Sequence, residues 1–148
     1  MAVAIRVTDA LVLNAAVNHP SVLPAVAPGY ESFDLAEFLR DKRNIALKYV
    51  DAVGIFRHVT GDVYEAHYLF PSTVRGPCAK KAAKEMLRQM FTTYAAAAIR
   101  GNISREHRAA RLMTRALGFT PLGRGRDASG HECVQYVLKR EEWAKSSD

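Results

Sequence analysis

Val63-Tyr-Glu-Ala-His-Tyr-Leu-Phe-Pro-Ser-Thr-Val-Arg-Gly-Pro-Cys-Ala-Lys80 is the stretch on which the fold turns. Val63–Phe70 is rich in aromatic residues and stops at a proline, so it reads as a strand. A loop through Arg75-Gly76-Pro77 then leads into a helix. Ala79, Ala82, Ala83, Met86, Leu87, Met90, Phe91 and Tyr94 recur at helical spacing, with Lys80, Lys81, Lys84, Glu85, Arg88 and Gln89 on the opposite face. Ala95–Ile99 follows as a short buried strand. A strand, a crossover helix and a second strand make a parallel pair.

Upstream, Ile45–Val50 and Gly54–Val59 flank the turn Asp51-Ala52-Val53, and Thr60-Gly61-Asp62 leads into Val63. Short turns between such runs give an antiparallel meander. Ala2–Val7 reads as a first strand, and Thr8 and Asp9 cap a helix that runs to Val17 and ends at His19-Pro20. Pro20–Tyr30 reads as a loop or irregular connection, and Asp34 caps a short helix over Leu35–Asp41. Downstream, Ser104 is the expected N-cap of a helix through Leu117 that buries Ala109, Ala110, Met113, Ala116 and Leu117 and ends at Gly118. Phe119–Leu122 and His131–Lys139 are the last strands, around a Gly-rich turn over Gly123–Gly130, and Glu141–Asp148 is expected to be a loosely held tail. The expected fold class is α/β (α+β): a single domain over residues 1–148, with a mixed, mostly antiparallel sheet flanked by helices and one βαβ crossover.

The 148 residues suffice for one core without metal or disulfide support. No apolar run approaches the ~18–20 residues of a membrane span, and the N-terminal residues do not read as a signal peptide. Cys78 and Cys133 are too few for a disulfide scaffold and have no zinc spacing, so reduced thiols and a cytoplasmic location are expected, without a metal. Charge is unevenly placed. Residues 1–74 carry 6 Lys/Arg against 8 Asp/Glu, and residues 75–148 carry 15 against 7. A basic second half implies an anionic partner or simply solvated helix faces.

Two stretches and the element order resemble the GNAT (acyl-CoA N-acyltransferase) superfamily. Tyr68–Lys80 looks like that family's strand, pyrophosphate loop and helix start. Ser104–Phe119 resembles its Asn-x-x-Ala helix ending in Leu-Gly-Phe, with His107 in the Asn position and Ala110 matching the Ala. The resemblance implies acetyl-CoA as cosubstrate, with the thioester carbonyl polarised by an amide around Leu69–Phe70. It places the coenzyme phosphates on Arg75, Gly76, Pro77, Cys78, Ala79, Lys80 and Lys81, and the coenzyme also against His107 and Ala110. Amides at a helix N-terminus suit a pyrophosphate. Pro77 has no N–H to offer, however, and Cys78 carries a Cβ at a position where the family prefers a small residue. The nearby lysines could compensate by charge. Thr114 stands where a family tyrosine often acts as general acid, and a threonine hydroxyl has no useful acidity near neutral pH.

Transfer to an amine needs a base, and the resemblance points to Glu65 and His67 on the third meander strand. Two residues apart, they share one face about 6–7 Å apart. Partial burial is expected to raise the Glu65 pKa, while an imidazole titrates near neutrality. The pair could also simply satisfy each other. The expected partner is an amine-bearing small molecule or protein, a charged tRNA included. The pattern looks most like GNAT-like proteins of tailed bacteriophages, so a catalytically degenerate structural module in a homo-oligomer or virion assembly stays open beside the enzyme. Nucleic-acid binding through Arg100, Arg105, Arg108, Arg111 and Arg115 has no reading motif or aromatic platform behind it.

Overall fold

The computed structural model describes residues 3–27, 29–127 and 130–146. Seven strands, β1 (Ile5–Arg6), β2 (Ile45–Tyr49), β3 (Ala52–Thr60), β4 (Val63–Leu69), β5 (Ala98–Ser104), β6 (Thr120–Arg126) and β7 (Glu132–Lys139), form one sheet in the order β1-β2-β3-β4-β5-β7-β6. Every neighbouring pair is antiparallel except β4 and β5. The expected α/β fold class, a mixed sheet with a βαβ crossover, is the one observed.

Helices cover both faces: α1 (Ala10–Val17), α2 (Leu23–Val26), α3 (Ala36–Arg40), α4 (Pro77–Thr92), α5 (Arg108–Ala116) and α6 (Arg140–Ser146). On one face the apolar stripe of α4 packs on Leu47, Phe56, Tyr64 and Ile99, and the cluster continues to Leu117, Phe119 and Tyr136. Met86, Leu87 and Met90 are buried there, each contributing about 1.5–3 kcal/mol. Gly54 permits the close approach of α4, because a Cβ built on it would lie 2.6 Å from Met86 Sδ. On the other face a smaller core of Leu13, Val17, Leu35, Val53, Ile55 and Leu69 lies beneath α1 and α3. Asn14 fixes these helices together: its amide donates to Asp34 Oδ1 at 2.9 Å, and its Oδ1 accepts from the Leu35 amide at 2.7 Å.

The connections depart from expectation in places. The loop over Pro20–Tyr30 contains the one-turn α2. The second parallel strand is Ala98–Ser104 rather than Ala95–Ile99. Ala95 takes a left-handed φ of 53°, and the Ala96 amide closes onto Met90 O at 2.9 Å, so the first alanines end the helix instead. Ser104 lies at the end of β5 and does not cap α5; His107 does, its Nδ1 accepting from the Ala110 amide at 3.3 Å. Ala109 and Ala116 are exposed while Thr114 is buried. The Gly-rich stretch is strand through Arg126, with an irregularity between Pro121 and Gly123. The expected loose tail is α6 over Arg140–Ser146, because Trp143 stacks on Phe91 at 5.1 Å between ring centroids. Arg140 ties this helix back to the crossover: its Nε donates to Ala96 O at 2.8 Å, its guanidinium also bonds Ala95 O, and its amide reaches Ala97 O at 3.0 Å.

Candidate active site

The parallel ladder is short. Val63 pairs with Ala98, Tyr64 with Ile99 and Glu65 with Arg100, and there the registered pairing ends. Beyond it β4 runs on to Leu69 against β3 alone, and β5 runs on to Ser104 against β7 alone. The two strands therefore part, and the backbone groups of β4 that face the gap lose their ladder partners.

The loop after β4 leads to the start of α4 beside this gap. Pro71–Val74 closes a turn, with the Val74 amide donating to Pro71 O at 2.9 Å. Gly76 is the helix N-cap with φ 55° and ψ −127°, a conformation that L side chains rarely adopt, and nothing lies within 4 Å of where its Cβ would be. Pro77 at N1 has a φ suited to the helix and no amide proton. The Cys78 amide is spent on Arg75 O at 3.2 Å and the Lys80 amide on Gly76 O at 3.1 Å. The Gly76 and Ala79 amides have no hydrogen-bond partner among the described residues. An anion at the N-terminus of α4 would thus meet two free amides, the positive helix end and the side chains of Lys80 and Lys81. The fit is partial but of the right kind for a coenzyme pyrophosphate. Arg75 folds back instead, its Nη1 donating to Phe70 O at 3.4 Å.

Phe70 stacks on Tyr68 at 5.4 Å between centroids, and the Tyr68 hydroxyl is buried without a partner among the described residues. Burial pushes its pKa up, so the phenol keeps its proton. Thr114 Oγ1 donates to Ala110 O at 2.7 Å and so is committed within α5. Cys78 is exposed and Cys133 buried, both as free thiols.

Glu65 and His67 lie together on the sheet face opposite α4. His67 Nε2 is 2.9 Å from Glu65 Oε1, and Arg57 Nη2 is 3.4 Å from Glu65 Oε2. Asn102 of β5 donates through Nδ2 to Glu65 Oε2 at 3.3 Å, bridging the gap. The Glu65 side chain is 17% exposed and that of His67 42%. The expectation of a raised Glu65 pKa is overturned: the His67 hydrogen bond lowers it, outweighing burial, and Arg57 lowers it further. Asn102 and Arg57 were not read as site residues. The signal for Asn102 was the alternation of buried Ile99 and Gly101 with Arg100 and Asn102, which marks a strand with one polar face. Among the described residues no group of three or more His, Cys, Asp or Glu could hold a metal ion, and no helix is long and apolar enough to cross a membrane.

No family model and no curated protein matches the sequence. Solved structures do. The aminoglycoside acetyltransferase AAC(6')-Ib, solved with coenzyme A and kanamycin, superposes with a TM-score of 0.79 at 13% identity over 100% of both chains. A variant of the spermidine N-acetyltransferase SpeG from Vibrio cholerae gives 0.74 at 12% identity, over 98% of this chain and 99% of that one. RimJ from Mycobacterium smegmatis, in complex with CoA-disulfide, gives 0.62 at 19% identity over 73% of this chain, which spans 58% of its length. The protein has the GNAT acetyltransferase fold. At these identities the likeness is one of architecture.

Proposed function

We propose that the protein is an acetyl-CoA-dependent N-acetyltransferase that passes an acetyl group directly to a primary amine. The observation that carries this reading is the gap that opens after Glu65–Arg100, with the free amides of Gly76 and Ala79 beside it. Gly76, Ala79, Lys80 and Lys81 would hold the phosphates, with the backbone around Leu69 and Phe70 facing the reacting end. Bound acetyl-CoA supplies a thioester whose C–S bond breaks as the amine's N–C bond forms.

The amine must arrive uncharged or lose a proton at the site. A carboxylate only accepts hydrogen bonds, so the Glu65 contact requires a proton on His67 Nε2 and leaves Nδ1 of the neutral ring to take the amine's proton, directly or through water. Glu65, held ionised by its lowered pKa, orients the imidazole through this hydrogen bond. His67 is thus the base and Glu65 its positioning partner. Thr114 cannot serve as acid to the departing thiolate, because its hydroxyl is buried and already donates to Ala110 O.

Thermal shift with acetyl-CoA tests the reading. Coenzyme at ten times its dissociation constant adds about 1.4 kcal/mol of stability. The absence of any shift at millimolar coenzyme would leave a GNAT-fold module without the chemistry, the virion role included. Pro77, which removes one phosphate donor, is the feature that favours that second reading.

A further inference from the structure

We infer that the amine acceptor carries an acidic group, a carboxylate or a phosphate, close to its nucleophilic nitrogen. This rests on the acetyltransferase reading and narrows its substrate.

Glu65 and His67 occupy the sheet face that α4 leaves free, so an acceptor approaches from that side. Arg57 is registered with Glu65 from β3, and Arg100 is registered with it from β5. Registered residues on neighbouring strands project from the same face, so Glu65 has an arginine on the strand to each side. Lys139 is registered with Ala98 and adds a third cation to this face, one step along. Glu65 is the only carboxylate that β3, β4, β5 and β7 contribute to this face: the other positions there are Val53, Ile55, Thr60, Val63, His67, Leu69, Ala98, Asn102, Ser104, Cys133, Gln135 and Val137.

That single carboxylate is already engaged by His67, Arg57 and Asn102. These four strands offer no further carboxylate to a second ammonium group on the acceptor, which would lie among their cations. An acidic group would find the exposed Arg57, whose one ion pair is a loose 3.4 Å contact, and the exposed Arg100, whose side chain has no partner among the described residues. A guanidinium fork matches a carboxylate or phosphate through paired hydrogen bonds. Spermidine and kanamycin are polycations, so the acceptor chemistry here differs from that named for those two architectural neighbours.

The experiment starts from coenzyme binding by calorimetry, then measures acetyl transfer to four kinds of amine. β-Alanine supplies the carboxylate, O-phosphoethanolamine the phosphate, ethanolamine the neutral control, and spermidine the polycation. The expected result is kcat/KM at least about tenfold higher for one acidic amine than for ethanolamine, the worth of one charge-assisted hydrogen bond, and lowest for spermidine. Which acidic amine leads identifies the group. Arg100→Gln should shrink the preference, chiefly through KM, and Arg100→Lys should restore part of it. Coenzyme binding with spermidine preferred, with no preference for the acidic amines, or with a preference that Arg100→Gln leaves intact, overturns this inference alone. Failure to bind coenzyme overturns the acetyltransferase reading and takes this inference with it.

Discussion

His67 Nε2 and Glu65 Oε1 lie 2.9 Å apart at the point where β4 leaves its parallel partner. The contact fixes which ring nitrogen carries the proton, and it places the free nitrogen of an imidazole on the face an amine would approach.

His67→Ala should lower kcat by roughly a hundredfold or more, the usual worth of a positioned base. Glu65→Gln, which keeps the shape but not the charge, should cost less, about tenfold. Steady-state kinetics at saturating coenzyme checks both. Unchanged turnover in both variants would remove the pair from the mechanism.

Glu65 also ties stability to pH. Its folded pKa is depressed, chiefly by His67, so the folded state binds this proton more weakly than the unfolded chain does. The contribution is therefore fully present above the ordinary glutamate value of about 4.3 and fades as pH falls through the lower folded value. Denaturant titrations of the wild type and Glu65→Gln should show a stability gap at neutral pH that narrows below about pH 4.3. A gap that widens on acidification would contradict the lowered pKa.

Pro77 withholds one amide from the start of α4. Pro77→Ala restores that donor and should tighten coenzyme binding several-fold, up to about tenfold, while lowering stability by about 0.4–1 kcal/mol through a looser unfolded chain. Calorimetry and melting curves read the two effects separately. Weaker coenzyme binding in the variant would place the phosphates elsewhere.

Gly54 lies under α4, where an added methyl would meet Met86 Sδ at 2.6 Å and a Phe56 ring carbon at 3.1 Å. Gly54→Ala should destabilise by about 1–3 kcal/mol. Combining it with Met86→Val should cost less than the sum of the two single changes, because the shorter side chain makes room for the methyl. Strict additivity would mean that the two positions do not touch.

The sheet was legible where alternation and turns were local. Residues 45–69 fold as a meander, though its first turn is Val50-Asp51 and Ala52 and Val53 already belong to β3, and the α4 stripe is buried residue for residue from Ala79 to Phe91. Reading failed where tertiary pairing overrode composition. Ala95–Ile99 has the apolar look of a buried strand, yet β7 pairs with Ala98–Ser104, and only the alanines before Ala98 are used to leave the helix. The Arg140–Ser146 helix was hidden because its aromatic anchor, Trp143, sits among charged residues and gives no periodic signal. At the site, the resemblance pointed to Glu65 and His67 and their spacing put them on one face, but the direction of the Glu65 shift was not legible. It depends chiefly on the His67 hydrogen bond, which outweighs burial, and then on Arg57, which strand register brings in from β3.

The bonds from Arg140 to Ala95, Ala96 and Ala97 have a practical consequence. The Ala97 amide holds Asp62 O at 2.8 Å, and the first rung of the parallel ladder, Val63–Ala98, comes directly after. Whatever pulls on the final helix is thus transmitted to the hinge of the cleft. A bulky fusion placed immediately behind Ser146 would strain that hinge, whereas a long flexible spacer would isolate it.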